Sequence, residues 1–514
     1  MTDTTQHPLL QPAETTPVMV IGAGIMGAGI AQVAAQAGHP VWLHDSREGA
    51  AEEACRKLAA TLETLAAKGK LSVEAARAAS GRLRPAGSLA DAAGAALVVE
   101  AIVERLDAKQ ALLRELEAVV TPGCVLASNT SSISVTALAR GLQHPGRVVG
   151  MHFFNPVPLM KLVEVVAGLQ TERSAADAVF ALAGRWGKVA VHARSTPGFI
   201  VNRIARPFYA ETLALLQEQA GTPAQLDACL RAAGFRMGPC ELMDLIGHDT
   251  NFAVTESVYR ANFDDRRFTP SLVQRELVEG GLFGRKTGQG FYDYRDGAPG
   301  AAEPLPAQAQ TAPSPGPVTL HGRAAWLDGW AARLQAQGFE VQRADGGWTG
   351  LASGTAQLRL TDGRCAAEVA ATEGAQRLAV FDLPIRTVMG GALEGALAFA
   401  TADDGDDGAW AAGWLALLGA TPVRMADAPG LVVARTLAML VNEAADAVQQ
   451  DVCTAEAADQ AMKLGVNYPA GPHEWRAAWG TAAVVQVLEA LDRHYRGERY
   501  RVSPPLRRAT WSLR

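Results

Sequence analysis

Residues 17–45 read PVMVIGAGIMGAGIAQVAAQAGHPVWLHD, and this stretch decides the fold. The apolar run PVMVI has the length of a buried strand and ends in glycines, and IAQVAAQAG has the apolar spacing of a helix. VWLHD (41–45) then predicts a second strand. A strand, a glycine-rich turn, a helix and a second strand, in this order, predict the start of a parallel sheet with helices on its faces.

Strands and helices alternate in this way up to residue 196. A polar tail, residues 1–16, precedes the first strand, and the Ala-, Leu- and charge-rich stretch at 47–79 predicts a helical excursion of two helices. Further buried strands are predicted at ALVVEAI (96–102), CVLASN (124–129) and RVVGMHFF (147–154). We therefore predict a doubly wound α/β domain over residues 17–196. From Pro197 to residue 297 the pattern is almost wholly helical, which predicts a first helical domain.

Residues 298–316 are rich in Pro and Ala and carry a single charge, as is typical of a linker. Beyond this linker the chain repeats itself. Residues 317–345 align without a gap with residues 17–45 at an offset of 300, and residues 429–448 align with residues 197–216 at an offset of 232. Two matches in the same order predict a tandem duplication. The second copy is predicted to hold a degenerate α/β domain and a second helical domain, at 317–425 and 426–514.

Composition restricts the classes of function. The chain has 514 residues, enough for several domains, and its net charge of −6 argues against a general nucleic-acid binder. Its six cysteines are scattered without a C-x-x-C pair, which predicts neither a metal site nor a disulfide framework. The apolar segment at 18–38 is interrupted by glycines and glutamines, so it suits a buried strand and helix better than a membrane span. Without a signal peptide, the expected location is the cytoplasm.

The three glycines Gly22, Gly24 and Gly27 form the pattern G-x-G-x-x-G between a predicted strand and a predicted helix. In such a turn the first glycine allows the bend, the second lets the backbone approach a pyrophosphate, and the third lets helix and strand pack closely. Asp45 ends the next strand, where a carboxylate can accept hydrogen bonds from the ribose of NAD. Arg47 leaves NADP open. A glycine-rich turn without a ligand is the alternative, but both features in register favour a Rossmann-type NAD site.

Two polar segments follow predicted strands, at the edge where doubly wound sheets bind ligands. SNTSSIS (128–134) brings hydroxyl groups to this edge, although taken alone its Ser and Asn residues more often cap a helix that begins near Val135. His152 lies in another strand, and Glu164 lies in the apolar run KLVEVV, close enough to fold back on it. A carboxylate on one imidazole nitrogen stabilises the imidazolium formed when the other nitrogen takes a proton, as alcohol oxidation requires. Spacing alone leaves a core role for His152 equally open.

Several long motifs agree with a known family. In chain order they are GAGIMG, VEAIVE, ASNTSS, HFFNPVPLMKLVEV, TPGFIVNR, MGPCELMDLIG and FGRKTGQGFYDY. Together they resemble the 3-hydroxyacyl-CoA dehydrogenase family over residues 17–295. The resemblance implies an enzyme that uses NAD to oxidise an (S)-3-hydroxyacyl-CoA thioester to the 3-oxoacyl-CoA.

The resemblance also implies roles for single residues. His152 matches the family's catalytic base, and Glu164 matches the carboxylate that orients it. Ser131 matches a serine that binds the substrate oxygen, and Asn202 matches an asparagine that helps to hold the reacting end. Lys68, in the helical excursion, is similar to a lysine that meets the CoA phosphates. The positions that match the lining of the family's NAD site are Glu104, Lys109, Asn155 and Lys286.

The second half resembles the long, duplicated branch of this family through NEAADAV, KLGVNYPAGPHEW and RYRVSPPLRR. That branch includes the 3-hydroxyadipyl-CoA dehydrogenases of bacterial phenylacetate degradation, so 3-hydroxyadipyl-CoA is the favoured substrate and 3-hydroxybutyryl-CoA the alternative. Arg236 is a candidate partner for a distal carboxylate, although it could equally pair on the surface. A silent NAD-binding structural protein is an alternative of another class, and the intact set of catalytic-type residues argues against it.

The second copy has lost the residues of this chemistry. Ala324 and Leu327 replace two of the three glycines, and Ala434 replaces the asparagine of the first copy. VFDLPI (380–385) is the nearest equivalent of the histidine motif. We expect this copy to bind no NAD and to catalyse nothing. Since the family usually dimerises through its helical domain, we expect the two helical domains to pack together as an internal pseudo-dimer, and a homodimer of the whole chain stays open.

Overall fold

The computed structural model describes residues 7–295, 305, 307–403 and 405–512. The start of the predicted polar tail and much of the predicted linker, residues 1–6, 296–304 and 306, lie outside the described residues. The chain divides into two compact units, Met1–Arg203 with Gln450–Val466, and Ile204–Gln449 with Asn467–Arg514. Among the described helices, none has the length and apolar character needed to cross a membrane.

The first unit is built on an eight-stranded sheet. Its strands are β1 (Val18–Ile21), β2 (Val41–His44), β3 (Leu83–Pro85), β4 (Leu97–Glu100), β5 (Val125–Ser128), β6 (Val148–Phe153), β7 (Leu162–Ala167) and β8 (Val189–Arg194). Their order is β3-β2-β1-β4-β5-β6-β7-β8, and neighbours are parallel except for the antiparallel pair of β6 and β7. The central strands are buried on both faces, which explains why they are continuous apolar runs.

Helices connect these strands as the sequence predicted. They are α1 (Ile25–Gln36), α2 (Ala50–Ala67), α3 (Val73–Arg82), α4 (Leu106–Val119), α5 (Val135–Leu138), α6 (Arg173–Arg185) and α7 (Val201–Ile204). The excursion predicted at 47–79 is the pair α2 and α3, which pack against each other. Ser72 caps α3 by accepting a hydrogen bond from the N–H of Ala75 at 3.1 Å, which explains where the second helix of the excursion begins.

The second unit contains the helices that follow the first sheet. They are α8 (Arg206–Gln217), α9 (Pro223–Ala232), α10 (Pro239–Ile246), α11 (His248–Ala261) and α12 (Leu272–Glu279). Asp227, buried in α9, accepts hydrogen bonds from the N–H groups of Cys240 and Glu241 at 2.8 and 2.9 Å, so it caps the start of α10.

The second unit also contains a seven-stranded sheet. Its strands are β9 (Pro317–His321), β10 (Glu340–Ala344), β11 (Gly350–Ser353), β12 (Ala356–Leu360), β13 (Arg377–Phe381), β14 (Ala396–Thr401) and β15 (Thr421–Arg424). Its helices are α13 (Leu327–Ala336), α14 (Ala366–Glu373), α15 (Ile385–Val388) and α16 (Ala409–Leu418). The order is β10-β9-β11-β12-β13-β14-β15. β11 takes the place beside β9 that β4 has beside β1, but it runs antiparallel, so this sheet is mixed.

The chain ends in a second set of helices. They are α17 (Val433–Gln449), α18 (Ala455–Gly465), α19 (Pro472–Trp479), α20 (Thr481–Tyr495) and α21 (Pro504–Trp511). Within the second unit α17 packs on α8, so the two helical sets contact each other. The buried guanidinium of Arg435 in α17 donates to Glu211 of α8 at 2.9 Å. Helix α18 belongs instead to the first unit, where it packs on β7 and β8.

Candidate active site

His152 and Glu164 form the centre of the candidate site. They lie on the neighbouring strands β6 and β7, directly opposite each other in the antiparallel register. The His152 Nδ1 atom lies 2.5 Å from the Glu164 Oε2 atom, and the two side chains are 7% and 0% exposed. Because the carboxylate accepts a hydrogen bond from Nδ1–H, the other ring nitrogen, Nε2, is the one that can accept a proton.

A tight turn holds the second oxygen of Glu164. The Glu164 Oε1 atom accepts hydrogen bonds from the N–H groups of Ile200 and Val201, at 3.0 and 2.9 Å. These donors become available because Gly198 and Phe199 have positive φ angles of 77° and 47°, which turn the chain into α7. A carboxylate with both oxygens engaged keeps one orientation, so it can hold the imidazole in one tautomer.

The surroundings of the histidine ring are aromatic. The ring centroid of His152 lies 4.5 Å from that of Phe154 and 5.8 Å from that of Phe199. Asn202 follows Val201 in the first turn of α7 and is half-buried. The structure therefore places three of the predicted catalytic residues on β6, β7 and the start of α7, within the first unit.

The fourth predicted catalytic residue, Ser131, lies in a loop organised by Glu104. The Glu104 Oε1 atom accepts hydrogen bonds from the Thr130 hydroxyl at 2.6 Å and from the Ser131 N–H at 2.9 Å. Burial alone would raise the pKa of Glu104, but the Thr130 hydroxyl, Lys109 and the Ser131 N–H hold it below its usual value. Glu104 therefore remains ionised and fixes the loop.

Asn129 connects this loop to the histidine strand and was not singled out from the sequence. Its Oδ1 atom accepts a hydrogen bond from the N–H of Phe153 at 2.9 Å, next to His152. The motif ASNTSS contains this asparagine, and its position directly after β5 was the available signal. The hydrogen bond connects the Ser131 loop to the end of β6.

Lys109 lies behind this surface. It is 1% exposed, and its Nζ atom lies 2.9 and 2.8 Å from the two carboxylate oxygens of Glu100 and 3.3 Å from Glu104. Ser128 also donates to Glu100. Lys109 thus holds Glu104 from inside the protein. Glu100, which the sequence reading missed, is visible in the sequence as the acidic residue that ends an otherwise apolar strand.

The glycine turn fits a dinucleotide. A Cβ atom on Gly27 would lie 1.8 Å from the carbonyl oxygen of Gly22, so α1 approaches the turn at a distance that no side chain permits. Gly22 has a φ of 103°, a conformation that favours glycine. A Cβ atom on Gly24 would contact nothing within 4 Å, which leaves open space where a pyrophosphate would lie against the N-terminus of α1.

Asp45 closes this site after β2. Its Oδ2 atom accepts a hydrogen bond from the N–H of Ala23 at 2.8 Å, and its Oδ1 atom accepts from the N–H and Nε of Arg47. Burial alone would raise the pKa of Asp45, but these N–H donors hold it below its usual value. An ionised carboxylate here suits the ribose hydroxyls of NAD and repels the 2′-phosphate of NADP, and Arg47 already pairs with it.

The remaining predicted positions are less central. Asn155 is exposed just beyond β6, and Lys68 is exposed at the end of α2. Lys286 belongs to the second unit and forms an ion pair with Asp249. Arg236 is exposed and also belongs to the second unit. The roles of these residues stay predictions.

The second copy contains a different arrangement at the equivalent place. Leu327 is fully buried in the core at the position of the packing glycine, so its side chain fills the space of the turn. Asp382, just after β13, accepts hydrogen bonds from the N–H groups of Val432, Val433 and Ala434 at 3.0, 2.7 and 2.9 Å. One aspartate thus caps the turn that Glu164 caps in the first copy, and no histidine takes part.

Known protein families match both halves. The NAD-binding domain of 3-hydroxyacyl-CoA dehydrogenases matches residues 17–196, and the C-terminal domain of the same enzymes matches residues 198–294 and 430–511. A reduced Rossmann-fold domain of 3-hydroxybutyryl-CoA dehydrogenase matches residues 358–429.

Individual relatives agree with these matches. The 3-hydroxyadipyl-CoA dehydrogenase of Escherichia coli K12 is 42% identical over 95% of this chain and 96% of its own length. The crystal structure of 3-hydroxybutyryl-CoA dehydrogenase from the same species has a TM-score of 0.85 at 40% identity, over 96% of this chain and 98% of its own. A probable 3-hydroxybutyryl-CoA dehydrogenase of Bacillus subtilis is 39% identical over 55% of this chain and 99% of its own length. Some relatives therefore span both copies, and others span one.

Proposed function

Because the chain belongs to the 3-hydroxyacyl-CoA dehydrogenase family and carries that family's NAD-binding domain, we propose that His152 is the base with which it oxidises its substrate. The reaction is (S)-3-hydroxyacyl-CoA + NAD⁺ → 3-oxoacyl-CoA + NADH + H⁺. The observation that carries this proposal is the buried pair of His152 and Glu164, with Nδ1 2.5 Å from the carboxylate.

The residues of the first unit support each part of this reaction. His152 takes the hydroxyl proton on Nε2, and Glu164 stabilises the imidazolium that results. Ser131 and Asn202 orient the substrate oxygens. NAD⁺, when bound, accepts the hydride that leaves the substrate carbon. Phe154 and Phe199 keep water away from the histidine ring, which strengthens its interaction with the carboxylate.

The cofactor site is assigned to the turn and to the residues around it. Gly22, Gly24 and Gly27 form the cradle for the pyrophosphate, and Asp45 accepts hydrogen bonds from the ribose hydroxyls. Glu104, held by Lys109, lines the same site. Asn155 and Lys286 are assigned to the NAD site, and Lys68 to the CoA phosphates, on the resemblance alone.

Two substrates are candidates, and each has a relative in its favour. The E. coli relative that covers 96% of its own length in the match is named for 3-hydroxyadipyl-CoA. The E. coli crystal structure with a TM-score of 0.85 is named for 3-hydroxybutyryl-CoA. We favour 3-hydroxyadipyl-CoA, as in aromatic catabolism, because the relative that carries this name shares both copies with the chain.

The internal packing has a proposed role as well. We infer that the helical sets around α8 and α17 form an internal pseudo-dimer, which takes the place of a second subunit. The buried contact of Arg435 with Glu211, at 2.9 Å, supports this view. The proposed location is the cytoplasm, which six unpaired cysteines support.

The test is NADH formation at 340 nm with the full chain and each of the two CoA thioesters. We expect turnover with 3-hydroxyadipyl-CoA at a higher kcat/KM than with 3-hydroxybutyryl-CoA. The variant His152→Ala should lose at least about a thousandfold in kcat, because no other base faces the hydroxyl. NAD⁺ binding without turnover of either thioester would instead favour a silent scaffold protein.

A further inference from the structure

One segment of the second copy, Gln450–Val466, is part of the first compact unit. Its helix α18 packs on β7 and β8, and β7 carries Glu164. The N–H of Arg194, at the end of β8, donates a hydrogen bond to the carbonyl oxygen of Val452 at 2.9 Å. The degenerate half of the chain therefore supplies structure directly behind a strand of the candidate active site.

The same segment contacts the turn that holds Glu164. The Arg203 guanidinium, in α7, donates from Nη1 to the Gln450 Oε1 atom at 2.8 Å. Arg203 directly follows Asn202 in the chain. Cys453 is buried close by, where burial and the neighbouring Glu164 carboxylate raise the pKa of its thiol to about 12. The thiol is therefore a neutral packing group at neutral pH.

Gly465, the last residue of α18, makes the closest approach. A Cβ atom at this position would lie 2.7 Å from Leu162 Cδ2, 3.0 Å from Val201 Cγ2 and 3.6 Å from Phe154 Cε1. Each of these three residues supports the catalytic pair. Leu162 lies two residues before Glu164 in β7, the N–H of Val201 donates to Glu164, and the ring of Phe154 packs on His152. The absence of a side chain on α18 thus keeps all three in place.

These contacts are reciprocal between the two copies. Two hydrogen bonds in the first unit recur in the second unit between residues displaced by 232 positions, with the copies exchanged, and α9 packs on β14 as α18 packs on β7. The pairs are Arg194 with Val452 and Ala426 with Ala220, both at 2.9 Å, and Arg203 with Gln450 at 2.8 Å and Arg435 with Glu218 at 3.0 Å. Reciprocal contacts of this kind are those of an isologous subunit interface.

We propose that the segment Gln450–Val466 positions the catalytic residues of the first copy, and that Gly465 is its positioning residue. The second copy is then required for turnover and does more than pack against the first. The proposal rests on the proposed role of His152 as the base. A displacement of about 1 Å at a catalytic base is enough to lower turnover by an order of magnitude or more.

The test compares Gly465→Ala with Ala233→Val in the full chain. Ala233 lies at the same offset of 232 residues, in the helix set that faces the second sheet, where no catalytic residue lies among those described. We expect Gly465→Ala to lower kcat about tenfold or more and to leave the KM for NAD⁺ within about twofold. Ala233→Val should leave kcat within about twofold of the unmodified chain.

Two further measurements separate positioning from loss of fold. Adding Leu162→Val to Gly465→Ala removes the nearest clashing atom, so it should restore most of kcat. The downfield proton resonance of the His152–Glu164 hydrogen bond should shift in Gly465→Ala and stay in place in Ala233→Val. An unchanged kcat and resonance in Gly465→Ala, or a loss that Leu162→Val does not rescue, would overturn the proposal. An unmodified chain that forms no NADH would contradict the proposed function, and an unshifted resonance would then reject the positioning role separately.

Discussion

His152 meets Glu164 because β6 and β7 run antiparallel with these two residues directly opposite each other. A shift of one residue in either strand would turn one of the side chains to the other face of the sheet. The register is held by buried residues on both strands, among them Met151 and Val165, which also face each other. Burial of these neighbours therefore determines the distance of the catalytic pair.

Asp382 shows what the same position becomes when catalysis is lost. It lies at the end of β13, as His152 lies near the end of β6, and accepts backbone hydrogen bonds at the turn into α17. Burial raises its pKa to about 6, despite the N–H donors that oppose this rise. The second copy has kept a carboxylate to satisfy the turn and has given up the imidazole.

The first prediction concerns the oxygen that faces His152. In Glu164→Gln the amide oxygen can still accept the N–H groups of Ile200 and Val201, so its NH₂ group must face Nδ1. This favours the tautomer with the proton on Nε2, which cannot act as the base. We expect kcat to fall about 10³- to 10⁴-fold while the Tm changes little. Steady-state kinetics and a thermal melt check this, and a kcat within about threefold of the unmodified chain would refute the assigned role.

Among the elements, the turn between β1 and α1 separates folding from binding. Gly27 has no room for a side chain because α1 lies against the carbonyl oxygen of Gly22, whereas Gly24 faces open space. The same short turn therefore contains one glycine required by the protein's own packing and another required only by a ligand. This difference is not visible in the G-x-G-x-x-G pattern.

The second prediction follows from that difference. Gly24→Ala should bind NAD⁺ at least about tenfold more weakly, since its methyl group enters the space of the pyrophosphate, while the Tm without ligand falls by only about 2 °C. Gly27→Ala should lower the Tm by more, because the backbone itself must move. Calorimetric titration with NAD⁺ and a melt of each variant check this. Equal Tm losses in the two variants would show that Gly24 is also a packing residue.

At the scale of the whole molecule, buried charges join the two copies within the second unit. Arg435 is fully buried and donates to Glu211, Glu218 and the hydroxyl of Tyr500. Burial alone would lower the pKa of Arg435, but Glu211 and the other neighbours raise it well above its usual value, so it stays charged. Ion pairs in two further places are also reciprocal. They are Arg267 with Glu443 at 3.1 Å and Arg499 with Glu211 at 2.9 Å.

The third prediction concerns this buried cluster. Arg435→Met leaves Glu211 and Glu218 without their shared partner in α17, which should cost about 3–5 kcal/mol and lower the Tm. The exposed pair of Arg323 and Asp345 offers a matched control, because Arg323→Met should change stability by less than about 1 kcal/mol. Chemical denaturation of both variants checks this. If both lose the same stability, the buried cluster does not hold the helical sets together.

Much of the fold could be predicted from residues that are close together in the chain. The glycine turn, the strands of the first sheet and the helical excursion are local patterns, and the duplication shows as two aligned stretches. The pairing of His152 with Glu164 could also be anticipated, since a short connection lets one strand fold back on the other. Short-range pattern and turn chemistry are sufficient for such features because they depend on few neighbours.

Other features depend on residues that are distant in the chain. Lys109 reads as a surface lysine on a helix, yet it is buried against Glu100, and the antiparallel β11 has no equivalent in the first copy. Most of all, α18 packs on β7, although nearly the whole chain separates them. No local pattern specifies such a contact, because it depends on which surfaces remain uncovered once both copies have folded. The chemistry of this protein is therefore encoded in its motifs, whereas the support of that chemistry by the second copy arises from long-range packing.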